Sequence, residues 1–413
     1  MSALDVLLQN ITSKLLTQEN LAFMLITIGL RKRGIELNPQ QKKQLQDQIA
    51  EQLPATSDGD SSLYFDLDDI PEELDGIALI STDEDYAELG NILNGRIEFA
   101  ISEVIPVLSQ KLIESWKEEA PQTLRLQQDY QKGFTQRIQH TWGNGLDLLD
   151  ILLSTSLEMG MEFNKTYRSE ACSNQDMVFE ALTRLHARGC QVGREIHVLL
   201  TNGLADGAYA RWRTLHELAV VADFLKNHDN ITAERFLLHE HIDTYKSALQ
   251  YQKHCSMLGR QPLSKNDMDH LRQRHDTLVA RFGRDFKNNW GWAAVATGKT
   301  SPNFSDIEKQ SGLEHIRPFV KEAHGNVHAS AKGTLQRLGL IPEVDILLAG
   351  PSIFGLGEPG RNTAFSTLLL TTSLLLLRPT LEHISYVTAM QTLHQEIHDA
   401  FYEAEYEIAQ HEA

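Results

Sequence analysis

Residues 204–226 read LADGAYARWRTLHELAVVADFLK, and this stretch decides the fold. At about 100° per residue, Leu204, Ala208, Leu215, Leu218, Ala222 and Leu225 form one broad stripe, while Trp212, Val220 and Phe224 cover much of the opposite side. A helix apolar on both sides is predicted to be buried. Its middle nevertheless carries Arg211, Arg213, His216 and Glu217. Arg211 falls within the leucine stripe, and Arg213 and Glu217 sit four residues apart on the other face. Taking charge out of water is costly unless the charge is paired. These side chains are therefore expected either to lock the interior as an ion-pair network or to face a polar site.

Working outward, the same 3.6-residue periodicity recurs. Residues 177–200 form a strong helical pattern closed by Asn202 and Gly203, and residues 232–257 carry the stripe Leu238, Ile242, Tyr245 and Leu249. Helices are also predicted over 265–282, 314–338 and 380–411, with a loop through NNWGWAAVATGKTSPNFSD and a Gly/Pro loop over 343–362. Toward the N-terminus, helices are read over 90–117 and 124–163, the latter with Trp142, Leu146, Leu149 and Leu153 at 3-to-4 spacing. Before them come helices that end on Gly34 and restart at Pro39. No alternating strand pattern longer than five residues occurs. The expected fold is all-α: a multi-helix, bundle-like domain with a smaller helical N-terminal region. The expected segments are 1–53 (N-terminal helices), 54–89 (an acidic linker) and 90–413 (the main helical domain).

The chain has 413 residues and a net charge of −18, unevenly spread. From Gln44 to Gly95 there are fourteen Asp and Glu residues and no Lys, Arg or His. The rest is close to balanced. Such a chain is unsuited to nonspecific binding of nucleic acid or anionic membrane, yet has room for a local basic cleft. The acidic strip reads as a solvated linker or as a mask that folds back over a basic site. Three cysteines without a CxxC pair, and an N-terminus lacking a signal-peptide pattern, point to a cytoplasmic protein. The longest apolar run, 364–377, has fourteen residues and five hydroxyls, too short for a bilayer, so no membrane association is expected.

Gly298, Lys299 and Thr300 imitate a phosphate loop, but the required earlier glycine is Ala293. His324 and His328, four apart in the helix predicted over 314–338, are expected on one helical face. That spacing suits a metal completed by Glu217 or His239, which gives a metal-dependent hydrolase as one alternative. Arg317 and His324 have six residues between them and formally fit the Arg-x4-6-His pattern of the helical HEPN ribonucleases, although Pro318 stands where that family usually has a polar residue. In that chemistry an imidazole shuttles a proton between the 2′-hydroxyl and the leaving oxygen, and a guanidinium stabilises the charge on phosphorus. On the following helix, Glu234, His239, Glu240 and His241 read as a solvated face or as supports for Glu217.

The segments LHARGCQVGREIHVLL, GLADGAYARWRTLHELAVVADFL, AERFLLHEHIDTYK, GNVHAS and LLAGPSIFGL together resemble a bacterial family catalogued as domain of unknown function 5677, over roughly 142–377. The resemblance implies an uncharacterised helical domain and points to Arg211, Arg213, Glu217, His239, Glu240 and His328. The expected site accordingly has His328 and His324 as acid/base groups with Arg213 and Glu217, Arg211 and Arg317 holding phosphate, and His239 and Glu240 in support. No metal or cofactor is expected. RNA is the expected partner, in a defence or toxin-like role, with a homodimer or protein partner as a further expectation. A non-catalytic helical scaffold is the competing class.

Overall fold

The structure, a computed structural model, describes residues 16–53, 63–67, 78–328, 331–340 and 347–412. Every regular element among them is helical, so the fold is all-α. The chain divides into two compact units, Met1–Gln128 and Asp129–Ala413.

In the first unit, α1 (Gln18–Lys32) and α2 (Pro39–Gln52) begin on side-chain caps. Thr17 accepts from the Asn20 N–H, and Asn38 and Gln41 form a reciprocal capping box before Pro39. Leu45 and Ile49 of α2 are fully buried with Leu30, Leu37 and Leu67. Residues 63–67 run extended along α2. The Gln52 side-chain amide donates to the Tyr64 carbonyl and accepts from the Tyr64 N–H, and Gln48 does the same with Asp66. The match is geometric: four helical residues rise about 6 Å and two extended residues about 6.6 Å. Most of the acidic strip read as linker or mask, residues 54–62 and 68–77, lies outside the described residues.

The next helix, α3 (Asp83–Asn174), is continuous. Sequence periodicity divides this region into two helices and treats 83–89 as linker; the structure joins them through Pro106 and Pro121. Both prolines are solvent-exposed. The carbonyls one turn earlier, on Ser102 and Lys117, lose their helical partner where water can replace it, so the usual cost of an interior proline is reduced.

In the second unit, the C-terminal part of α3 buries Ile138, Trp142, Leu146, Leu149, Leu152 and Phe163. After Asn174 come α4 (Met177–Thr201), α5 (Ala205–Lys226), α6 (Asn230–Leu238), α7 (Glu240–His254), α8 (Lys265–Phe282), the short α9 (Ala294–Thr297), α10 (Phe304–Gln310), α11 (Arg317–Val327), α12 (Ala331–Leu335), α13 (Gly357–Leu375) and α14 (Leu381–Glu412). Helix α5 packs against α4, α13, α11 and α10. Ala208, Leu215, Ala222 and Leu225 on one side and Trp212, Val220 and Phe224 on the other are all essentially inaccessible. The hydroxyls of the 364–377 run are part of this packing. Ser366 accepts from the Trp212 indole at 2.9 Å, and Thr371 lies 2.7 Å from Ser156. No helix among the described residues is long and apolar enough to cross a membrane.

Ser156, Thr371 and Cys190 surround the buried His186 ring, with both hydroxyls 3.3 Å from Nε2. No carboxylate is among these partners, and burial pushes the His186 pKa down to about 4, from 6.5. Between those two values the unfolded chain binds a proton that the folded one does not. Stability is therefore held above pH 6.5 and lost as pH falls toward 4, by about 3 kcal/mol from this residue. The half-buried His197 and His394 are lowered by the same cause and add to the loss. Urea unfolding at pH 7 and pH 4.5 is expected to show the drop, and His186→Gln to flatten it; equal midpoints at the two pH values would contradict this account of the core.

The 314–338 region departs from the predicted single helix. A 3-10 turn over Glu314–Ile316 precedes α11, which stops at Val327, and His328 is extended at φ −109°, ψ 144°. Two glycines account for the break. A Cβ on Gly333 would stand 1.9 Å from the Gly325 carbonyl oxygen, so α12 lies directly on α11. A straight helix cannot bring residues 325 and 333 together. Gly333→Ala is expected to push α12 off α11 and to cost about 1 to 3 kcal/mol in unfolding free energy; an unchanged value would mean that the crossing is not tight.

Candidate functional site

Three helices position the polar groups flagged in the sequence. On α5, Arg213 and Glu217 are one turn apart, with Nη2 3.0 Å from Oε1. From α11, His324 brings its Nδ1 to 2.9 Å from Arg213 Nη1. From α4, Glu195 takes the Nε of Arg211, and Arg188 lies 3.8 Å from the same carboxylate. Of these side chains, Arg211, Arg213 and Glu217 line an open groove of about 480 Å³, together with Thr214 and with Val327 of α11 in its wall. Arg211, Arg213 and Glu217 keep 26%, 27% and 31% of their side-chain surface. They are half-buried at a groove, not sealed in the core.

A guanidinium can only donate, so His324 Nδ1 accepts from Arg213 and the proton of the neutral ring sits on Nε2. Loss of solvation, then the adjacent His328 ring and the Arg213 charge, hold the His324 pKa below its ordinary value, with Glu217 pulling the other way. The two imidazoles lie with centroids 4.2 Å apart and planes inclined by 51°. His328 reaches this position from the cap of α11 and not from a shared helical face. The resulting constellation is one neutral, guanidinium-bound imidazole beside a second, solvent-exposed one. Such a pair can accept and return a proton next to a fixed positive charge.

Other flagged residues lie in different surroundings. His239 is buried, with Nε2 2.9 Å from the Asn288 carbonyl, Nδ1 3.4 Å from Asp243 and an edge-on contact with Phe286. Its ring and Arg235, which donates to the carbonyls of Phe282, Gly291 and Trp292, fix the turns that follow α8. Glu240 is exposed and paired with His241. Gly298 ends α9 at φ 66°, and Lys299 pairs with Asp306, so the GKT triplet is a helix end.

Arg317 turns toward Glu308, a residue that sequence reading overlooked. Glu308 on α10 and His216 on α5 both have side-chain exposures of 0%, with His216 Nε2 3.4 Å from one carboxylate oxygen and Arg317 against the other. His216 is thus the titratable side chain of α5 that is fully buried. A lone glutamate in the short polar segment FSDIEKQ carries no periodic signal of burial; only its pairing with two distant residues reveals it. Tyr209 likewise donates to Glu358 at 2.8 Å, and burial raises the pKa of both. Among the described residues, no group of three or more His, Cys, Asp or Glu gathers as a metal-binding set.

Residues 179–342 match the model of a family of unknown function (DUF5677). The match is narrower than the 142–377 read from the sequence, but it takes in α4 to α12 and every residue of the groove. No curated protein and no solved structure matches the chain.

Proposed function

We propose that the α5–α11 groove binds RNA and cleaves it without a metal. The observation carrying this reading is the contact of Arg213 with both Glu217 and His324, with the His328 ring tilted against the latter. RNA holds its own nucleophile, so cleavage needs only a proton shuttle and a positive charge at phosphorus. With His324 Nδ1 occupied by the guanidinium, His328 is the free base. It takes the 2′-hydroxyl proton as the oxygen attacks phosphorus; the P–O5′ bond breaks, and the imidazolium returns the proton to the departing 5′-oxygen. The products are a 2′,3′-cyclic phosphate and a 5′-hydroxyl. Arg213 and Arg211 meet the growing negative charge through the N–H groups left over from their glutamate partners, and Glu217 fixes the Arg213 fork. His324 holds that fork from the other side and can donate from Nε2 to a phosphate oxygen. Arg317, expected from the sequence to hold phosphate, acts instead through Glu308 to seat α11.

A toxin-like or defence role in a bacterial cytoplasm fits an RNA-cleaving activity, and growth arrest on overexpression is its readout. The test of the chemistry is incubation of purified protein with RNA beside Arg213→Ala and His328→Ala. Intact RNA with the native protein, and no growth defect, would remove the proposal.

One observation favours a second reading, that of a non-catalytic helical scaffold or regulatory partner. Arg211 and Arg213 each already have a glutamate partner inside the protein. In that case Arg213→Ala lowers stability and neither substitution alters a reaction.

A further inference from the structure

We propose a second RNA-binding site on the face of α8, separate from the α5–α11 groove in its residues and resting on the same reading of the protein as RNA-binding. The segment from Lys265 to Lys287 has six Lys and Arg against four Asp, in a chain whose net charge is −18. On α8, His270, Arg274, Thr277 and Arg281 recur at steps of four, three and four, which aligns them on one face over about 16 Å. With Gln273, and with Leu238 and Leu278 as an apolar floor, they line a groove of about 550 Å³. None of its lining residues is a carboxylate.

The nearby carboxylates are already engaged. Asp267 caps the helix start through Ser264, Asp269 pairs with Arg272, Asp276 with His275, and Glu234 with Arg281. Arg274, His270 and Gln273 make no side-chain hydrogen bond or ion pair among the described residues, so their donors face the groove uncommitted. A line of donors whose adjoining carboxylate, Glu234, is taken up by Arg281 suits a chain of anions better than a single one. The apolar floor favours a nucleic-acid strand over an acidic peptide, because bases bring apolar faces that aspartate and glutamate lack.

The experiment is fluorescence anisotropy of a labelled 20-nucleotide 2′-O-methyl uridine strand, which cannot be cleaved through its 2′ position, titrated with the full-length protein at several salt concentrations. Arg274→Glu is expected to weaken binding roughly tenfold at low salt, and Arg274→Ala to reduce the slope of log affinity against log salt by about 0.7. Poly-L-glutamate is expected to compete poorly. Arg274 is exposed and unpaired, so both variants should keep the native circular dichroism spectrum. Equal affinity of Arg274→Glu and the native protein would overturn the second site while leaving cleavage at the first intact. Competition by poly-L-glutamate as effective as by RNA would also overturn it, in favour of an acidic protein partner. Arg274-dependent binding without any cleavage of ordinary RNA would keep the second site and remove the proposed chemistry; no binding by the native protein would remove both.

Discussion

Glu308→Ala is expected to lower the unfolding free energy by about 3 to 5 kcal/mol, the cost of breaking a buried ion pair from one side. The carboxylate lies between the fully buried His216 and the half-buried Arg317, and joins α10, α5 and the first turn of α11. Without it the His216 ring, whose Nδ1 has no hydrogen-bond partner among the described residues, is left in the interior with no acceptor among them for Nε2. Among the described residues, Arg317 is left with the Phe304 ring, over which its guanidinium lies 6.0 Å from the centroid. Glu308→Gln, which keeps shape and one acceptor, should cost less than the alanine variant. Urea denaturation of the three proteins at pH 7 reads the difference. A loss under about 1 kcal/mol for the alanine variant would mean that water enters the site and the triad does not hold α11 in place.

The second large effect is on chemistry. His328→Ala is expected to reduce RNA cleavage by roughly a hundred- to ten-thousandfold, the usual contribution of a positioned acid/base group. Arg213→Ala should cause a loss of similar size, because it removes positive charge from phosphorus and releases both Glu217 and His324. The two substitutions differ in a second readout. His328 is exposed and ends its helix, so its removal should leave stability within about 0.5 kcal/mol. Arg213 holds an ion pair and a hydrogen bond between helices, so its removal should also destabilise. In the scaffold reading only the Arg213 variant changes anything. A His328→Ala protein that processes RNA at the native rate would exclude His328 as the base.

The class of fold was legible because α5 is apolar on opposite sides, a pattern that only a helix surrounded by other helices can satisfy. The helix end at Thr201 was legible because Asn202 and Gly203 mark it. Continuity of α3 was not, since a proline reads as a stop wherever one cannot tell that the broken hydrogen bond faces water. The end of α11 was hidden as well. Gly325 and Gly333 look like ordinary weak helix formers until the crossing they permit is seen. Within the groove, the Arg213–Glu217 spacing was readable as an i, i+4 pair, and the structure adds His324 from over a hundred residues away. Sequence reading left open whether the charged and titratable residues of α5 lock the interior or face a polar site. The arginines are long enough to carry their guanidinium groups to a groove, whereas the short His216 stays in the core against Glu308.

The most direct test is the identity of the RNA ends produced by the full-length protein in the presence of EDTA. The account expects cleavage that persists with chelator, leaves 2′,3′-cyclic phosphate and 5′-hydroxyl ends, and stops when the 2′-hydroxyl 5′ to the cut is replaced by hydrogen. Cleavage abolished by EDTA, ends bearing a 5′-phosphate, or RNA left whole by the native protein would contradict it.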